Sequence, residues 1–320
     1  MPATGSSIYT DADRYQACIR DTLDLLVLHP TDFNARLTWV ELPELSLLRA
    51  EEGLPRIAYM TLPARFVFVT FLTQRGTPLI HGGSELQFGE LLCHCLGERA
   101  HQRTIGPTNW GSVAMTPRTL TAFGRAIAER DLAAPQTSQI VCPRSADLRR
   151  FLRLHSQACR IAETDPKRIT NQEIARALEQ NLIWTLITCL DTAKLREDRS
   201  SDLGRRAQFS MRLEQALATD PAKRWRSSEL ANAIGISETA LRSGCLALLG
   251  MSAARYQRLR RLERARAALM HSDPTTERGS DVVKRYGFTK IERFVAEYWN
   301  TYGEMPPIPS YNPSHPHGGF

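Results

Sequence analysis

No stretch of the chain is apolar for long enough to span a bilayer. The best candidate, Leu182 to Leu190, falls well short of the ~18 residues a span needs and is broken by Thr185 and Thr188. Met1 to Asp13 lacks a basic region leading into an apolar one and carries Asp11 and Asp13, so a secretion signal is not expected and a cytoplasmic location is. The seven cysteines are odd in number and widely scattered, which fits reduced thiols and not a disulfide framework. Gly82-Gly83 and Gly106 stand isolated and form no phosphate-cradling loop. Long internal repeats and low-complexity tracts are absent.

What the chain does have is length and a lopsided charge. Its 320 residues suit two or three domains, each able to bury a core. The net charge is +7, yet residues 1–195 hold 21 basic and 20 acidic side chains, whereas residues 196–320 hold 20 and 14. A basic module therefore follows a nearly neutral one, and the basic module implies a polyanionic partner.

From Arg36 to about Met115 short runs rich in aromatic and β-branched residues, such as Arg65 to Leu72, alternate with turns at Gly76-Thr77-Pro78, Gly82-Gly83 and Gly106-Pro107-Thr108. Strands at this spacing predict a sandwich or small barrel. Thr116-Pro117 marks a capped helix start, with the helix running to about Glu129, and Ser138–Cys142 reads as one more strand. Helices are expected over Ser145–Glu163 and Thr170–Asp191, separated by Asp165-Pro166. The second carries a broad apolar surface (Ile183, Trp184, Leu186, Ile187, Cys189, Leu190) that either packs on the β-domain or forms a dimer interface. Residues 1–20 are expected to be a flexible arm, 21–195 the β-rich domain with its helical pair, 196–207 a polar linker, 208–305 the basic domain and 306–320 a Pro-rich flexible tail.

In the basic domain, Ser228 to Ser237 reads as a short helix, then a glycine suited to a left-handed cap (Gly235), an apolar residue, and Ser237 capping the next helix, Glu238–Leu249. This is the grammar of a helix-turn-helix. It recurs from Ser280 to Thr289 around Gly287, with Ser280 as a cap and Thr289 and Glu292 spaced for a capping box. Between the two units Tyr256–Met270 forms a helix on which Arg255, Arg258, Arg260, Arg261, Arg264 and Arg266 crowd the face opposite Leu259 and Leu262. Taken alone, such a run is a solvated face; between two helix-turn-helix units it becomes a connector facing phosphates.

Several residues together carry a resemblance to the AraC/XylS family of bacterial transcription regulators. They are Leu230-Ala231, Gly235-Ile236-Ser237, Leu241, Gly250-Met251-Ser252, Tyr256, Arg260 to Arg266, Leu269, Tyr286-Gly287-Phe288, Arg293-Phe294, Tyr298 and Tyr302 to Pro306. The resemblance covers about a hundred residues in order and implies two helix-turn-helix units reading successive major grooves, usually with contact to RNA polymerase. It is weaker at the N-terminus, where it implies a cupin-type β-barrel sensor. Departures from the family pattern are Cys245 in place of a common Phe, Gly244 inside a recognition helix at a cost of ~1 kcal/mol relative to Ala, Val283 in place of a small Ala, and Gly279 at a usually apolar position.

The first two turns of a recognition helix face base edges. This nominates Thr239, Arg242 and Ser243 in the first unit and Ile291, Glu292, Arg293 and Ala296 in the second. Arg242 and Arg293 rank first, because a guanidinium can take guanine bidentately. Phosphate contacts are expected from Ser237, Arg258, Thr289, Lys290 and Asn300.

The remaining candidate chemistry lies in the β-domain. Cys93-His94-Cys95 near His81 and His101 contains metal-ligand types, but in a strand His94 points away from both cysteines, so no metal site and no catalytic residue is expected. Trp39, Phe66, Phe68 and Trp110 are candidates for lining a small-molecule cavity. The expected fold is thus α+β in two domains. The expected function is that of a sequence-specific DNA-binding transcription regulator without a cofactor, a ligand-responsive activator as the AraC/XylS resemblance implies. Its expected partners are duplex DNA, RNA polymerase, an effector, and a second copy joined through helix 170–191. The alternatives are an enzyme on a metal-binding barrel, which would require His81, Cys93, His94 or Cys95 as ligands, and a ligand-independent architectural DNA binder.

Overall fold

Where a strand is covered on both faces, its alternating side chains must fill two different compartments. A computed structural model, which describes residues 4–19, 22–27, 33–196, 200–271 and 278–308, arranges the first half of the chain in this way. One antiparallel sheet runs in the order β1 (Thr4–Tyr9), β3 (Ala35–Glu41), β4 (Ser46–Glu52), β11 (Thr108–Met115), β6 (Val67–Leu72), β9 (Leu91–Cys93), β12 (Gln139–Cys142) and β13 (Lys194–Leu195). The other runs β2 (Thr22–Val27), β5 (Arg56–Thr61), β10 (Arg99–Thr104), β7 (Leu79–His81) and β8 (Ser84–Leu86). By contacts the chain divides into residues 1–212 with 244–250, and residues 213–243 with 251–320.

In the first unit, Leu37, Trp39, Ala50, Leu72, Leu92 and Trp110 of the large sheet share an inner core with Leu25, Ala58, Leu79 and Leu86 of the small one. Their sequence neighbours Val40, Leu47, Val69, Phe71, Leu91, Val113 and Met115 point the other way, into an outer core. That core is completed by the helices α2 (Pro117–Ala128), α3 (Ser145–Thr164) and α4 (Gln172–Thr192). A one-residue slip of any central strand would exchange the two sets, so the register is strongly specified. The predicted Thr116 cap forms, with the Thr119 amide donating to its hydroxyl at 3.1 Å. The apolar breadth of α4 is used mostly in the outer core: Leu182, Ile183, Leu186, Ile187 and Cys189 are buried. Trp184 stays 42% exposed beneath the Arg150 guanidinium, which lies 4.7 Å from its ring.

The expected free N-terminal arm is ordered where it is described. β1 pairs with β3 from Thr4↔Val40 to Tyr9↔Ala35, and α1 (Ala12–Cys18) is capped by the Asp11 side chain. Its Tyr15 is fully buried and donates a 2.6 Å hydrogen bond to Glu52 Oε1. Glu52 accepts from Arg56 Nε at 3.0 Å, and Arg56 Nη2 donates to Gln102 Oε1 at 2.8 Å. The polar composition of the arm concealed this, because backbone pairing and one buried tyrosine order it. The expected linker is also corrected, since α5 (Ser200–Thr219) begins within it. A polar run with good helix formers needs only one apolar stripe to fold.

The second unit contains the rest of α5 with α6 (Ser227–Ile234), the first turns of α7 (Glu238–Leu249), α8 (Ala253–His271), α9 (Gly279–Arg285) and α10 (Ile291–Tyr302). Leu262, Ala265 and Leu269 of α8 pack with Val282, Val283, Phe288, Phe294, Tyr298 and Tyr302. Ile308 joins this core, so Pro306–Ile308 does not belong to a free tail; residues 309–320 of that expected tail lie outside the described residues. A Cβ on Gly279 would stand 3.0 Å from Ile308, which accounts for the missing side chain there.

His155 of α3 is buried, with its ring edge-on to Phe71 at 5.0 Å. Burial pushes its pKa down to about 4. In the unfolded chain the same imidazole takes up a proton near pH 6.5, so its contribution is complete above that pH and is lost as pH falls toward the folded value. Between pH 7 and pH 5 this group should cost about 2 kcal/mol of stability. Urea denaturation at the two pH values should show the loss, and His155→Gln should flatten the difference by a comparable amount.

Candidate DNA interface and ligand cavity

The first helix-turn-helix forms as its spacing predicts. Gly235 closes α6 in the left-handed region with φ 71°, and the Ile236 amide reaches back to the Ala231 carbonyl at 3.0 Å. The Ser237 hydroxyl accepts from the Ala240 amide at 3.2 Å and so caps α7. On α7 the residues Leu241, Cys245, Leu248 and Leu249 are buried, while Thr239, Arg242 and Ser243 are exposed together. Leu246 extends that face by one turn at 62% exposure and was not anticipated. Gly244 has a steric reason: a Cβ there would lie 2.7 Å from the Phe209 ring of α5.

The second unit departs from expectation at both caps. α9 starts after Arg278, which places Ser280 inside the helix and not at its cap. α10 starts after Lys290 with no side-chain cap, so Glu292 falls one position too early in the helix to close a box with Thr289. Gly287 turns the chain at φ 79° and Phe288 is buried behind it. Glu292, Arg293, Ala296 and Asn300 are exposed along one side of α10, joined by Trp299 at 52% exposure. Ile291 packs partly against the core and is withdrawn from that side. Ser237, Thr289 and Lys290 are exposed at the helix starts.

The arginine-rich α8 is not the open cationic face that its sequence suggests. Arg260 is buried and ion-paired with Glu214 of α5, whose other oxygen accepts from the Tyr256 hydroxyl at 2.7 Å. Arg266 pairs with Glu263 at 3.4 Å and lies 4.9 Å from the Tyr302 ring. Arg258 donates to Glu297 Oε2 at 2.6 Å, and Arg293 lies 3.3 Å from the same carboxylate. α8 is central to its domain, so its long side chains bury their stems and find partners on other helices. Glu263 lies on α8 itself, but Glu214 and Glu297 are distant in sequence, which hides their pairing from a reading of the helix alone.

A basic cleft of about 340 Å³ opens among Arg224, Trp225, Arg258, Arg261, Lys290 and Arg293. Arg261 is buried at its wall, 5.5 Å from the Phe288 ring, with Nε and Nη1 lacking a hydrogen-bond partner. Burial first, then the neighbouring Arg224 charge, lower its pKa. Unpaired guanidinium nitrogens in a cationic cleft suit an anion.

In the first unit a cavity of about 450 Å³ lies between the sheets, and Trp39, Phe66, Phe68 and Trp110 all line it. The space exists because β4 and β11 turn small side chains inward. Cross-strand register sets Ser46 beside Ala114 and Ala114 beside Phe68, then Leu48 beside Ser112 and Ser112 beside Thr70. Met60, Arg65, His94 and Gln102 complete much of the wall. The Trp110 indole nitrogen is buried without a partner, which leaves a donor for a bound molecule.

The pleat separates Cys93 from His94 as expected: Cys93 joins the outer core, where burial pushes its thiol up to about 12, while His94 lines the cavity. His94 also meets two groups that strand geometry alone did not bring together. Its Nδ1 lies 2.6 Å from Glu98 Oε2, and His81 Nε2 lies 3.1 Å from Glu98 Oε1. Burial lowers the pKa of His94; burial also pushes the Glu98 carboxyl up, but the two imidazoles outweigh it and hold that carboxyl well below its usual range. His101 lies apart from this group, 2.6 Å from Ser210 Oγ and beside the Tyr59 ring.

Residues 230–307 match the family model described as a helix-turn-helix domain. A curated relative, the probable thc operon regulatory protein of Rhodococcus erythropolis, is 32% identical over 79 residues. The match takes in 25% of this chain and 24% of that protein, so the chain spans about a quarter of the length of the curated relative it matches. Among solved structures the chain is similar to the AraC-like transcriptional activator CuxR, with 16% identity over 83% of this chain and 96% of that one at a TM-score of 0.44. Unsaturated fatty acid-bound ToxT from Vibrio cholerae gives 8% identity over 90% and 95% at a TM-score of 0.28. The C-terminal region thus contains a helix-turn-helix domain. Among the described residues no helix is long and apolar enough to cross a membrane.

The charge pairs within this domain differ in burial, and their stability contributions should differ accordingly. Glu214→Ala would leave Arg260 buried without its carboxylate and should cost about 3–5 kcal/mol. Glu297→Ala removes the partner of two largely exposed arginines and should cost about 1 kcal/mol or less. Chemical denaturation of both variants checks the ranking.

Proposed function

We propose that the protein is a DNA-binding transcription regulator whose N-terminal barrel admits a small-molecule effector. The observation that carries this reading is the pair of exposed helix faces, Thr239-Arg242-Ser243 on α7 and Glu292-Arg293-Ala296 on α10, each following a left-handed glycine turn. Two such helices in one domain suit successive major grooves. Arg242 takes the role of a bidentate guanine reader, and Arg293 that of its counterpart. Ser237, Thr289, Lys290 and Asn300 take phosphates, and the Arg261 cleft adds an anion seat that sequence reasoning did not find. Arg258 and Arg293 share Glu297, so an incoming phosphate competes with that carboxylate for both.

The cavity supports the effector half of the reading. Its wall is mostly aromatic and aliphatic, with the Trp110 indole N–H, Thr70, Ser112 and Arg65 as polar points, the composition of a small-molecule site. An effector acts by binding one conformational state of the chain better than another. Trp184, exposed on α4, is the centre proposed for pairing with a second copy, and contact with RNA polymerase follows from the regulator reading.

Selection of binding sites from random duplex DNA by the full chain tests the proposal; recovery of no preferred sequence would overturn it. On the selected site, Arg242→Ala should cost about 1–3 kcal/mol of discrimination at one base pair. Lys290→Gln should weaken all sequences alike and reduce the salt slope by about 1. Ser112→Leu, which fills the cavity, should abolish any effector response and leave DNA affinity in the absence of effector unchanged.

A further inference from the structure

The barrel buries two carboxylates on its inner side, and it treats them differently. Glu52 is given a dedicated guanidinium, Arg56, with Nε 3.0 Å from both of its oxygens. Glu98, only 6% exposed, meets no arginine or lysine among the described residues, and its two oxygens face two imidazoles. His81 and His94 are each 1% exposed, and their rings stand edge to face with centroids 4.9 Å apart. One donor atom from each of His81, His94 and Glu98 falls within a sphere where all lie within 4.8 Å of one another.

We propose that His81, His94 and Glu98 form a binding site for a divalent first-row transition-metal ion in the wall of the barrel. Two imidazoles and one carboxylate are a donor set for zinc or iron(II) and a poor one for calcium or magnesium, which take oxygen ligands. One of the two histidines also has the outer support of a metal ligand, whereas His81 Nδ1 is buried without a hydrogen-bond partner. His94 Nε2 lies 2.9 Å from Thr70 Oγ1, which fixes the ring's orientation and leaves Nδ1 for the ion. The elements that deliver the ligands are rigid, since His81 ends β7 in register with Gln102 of β10, and His94 follows β9 with its amide bonded to the Phe68 carbonyl at 3.0 Å. His94 and Thr70 also line the cavity, so the ion is reached from the side where an effector is proposed to enter. The cysteines take no part, because Cys93 faces the outer core.

The inference does not rest on DNA binding, and its test does not use it. The full-length protein, stripped with a chelator, is titrated with cobalt(II) and then zinc while visible absorption, bound metal and the melting temperature are followed. One equivalent of cobalt should bind with ligand-field bands of a nitrogen and oxygen site and no thiolate charge-transfer band. Zinc should displace it and raise the melting temperature. Glu98→Gln keeps the side-chain shape but loses the anionic ligand and exchanges one acceptor oxygen for a donor. It should weaken binding beyond the roughly 10- to 100-fold typical of losing an outer support. His81→Gln serves as the second variant and should do the same, which guards against one of the two failing to fold. Absence of stoichiometric binding by the unsubstituted protein would overturn the proposal. So would thiolate bands, or unchanged affinity in a folded Glu98→Gln or His81→Gln protein.

Discussion

A charge removed from water must meet an opposite charge or a full set of hydrogen bonds, and this chain meets that requirement by pairing elements that are far apart in sequence. Glu52 on β4 joins Tyr15 of α1 to Arg56 of β5 and, through Arg56, to Gln102 of β10. Glu214 on α5 joins Tyr256 and Arg260 of α8. In each case one carboxylate ties its own element to at least one other, so the ion pair specifies which elements meet as well as adding stability. Neither pair can be removed by halves, because the orphaned partner would remain buried.

The second constraint is that the large sheet is covered twice. Every central strand must supply one set of side chains to the helices and another to the barrel interior, and the two sets answer different demands. Outward positions on β11 carry Val113 and Met115, which fill space beneath α2–α4. Inward positions carry Ser112 and Ala114, which leave it empty. The cavity is thus written in the same alternation that makes the strand, through the small side chains at two inward positions beyond Trp110.

How much of this could be read from the sequence depends on how local its cause is. The helix-turn-helix units were legible because Gly235 and Gly287 must take a left-handed conformation and are flanked by apolar residues at fixed offsets. α2, α3 and α4 were legible from periodicity and from the Thr116 cap. The four aromatic residues proposed to line a cavity do so together. What failed depended on partners elsewhere in the chain. β1 and α1 looked like a free arm until β3 and Glu52 are in place. The Thr289–Glu292 spacing suits a capping box, but α10 starts one residue later than that box requires. Glu98 drew no attention in the sequence because its importance comes from His81, seventeen positions earlier and on another strand.

The arginine-rich α8 changes where the basic charge of the C-terminal half should be sought. Charge counted along the sequence puts six arginines on that helix, and counting alone would make it the principal phosphate-facing element. Burial gives a different answer. Arg260 is neutralised by Glu214, Arg266 is held by Glu263 and Tyr302, and Arg258 shares Glu297 with Arg293. The helix works chiefly as the core against which α9 and α10 pack, and three of its guanidiniums are held by carboxylates. The proposed DNA interface then draws on exposed cations outside those pairs, among them Arg242 on α7, Lys290 before α10, Arg255 at the start of α8 and Arg224 beside the buried Arg261. A cation with its own carboxylate releases few counterions when a phosphate arrives, because the phosphate displaces an existing partner. On the proposed reading, the salt dependence of DNA binding follows the exposed cations without such a partner, and the net charge of the domain overstates it.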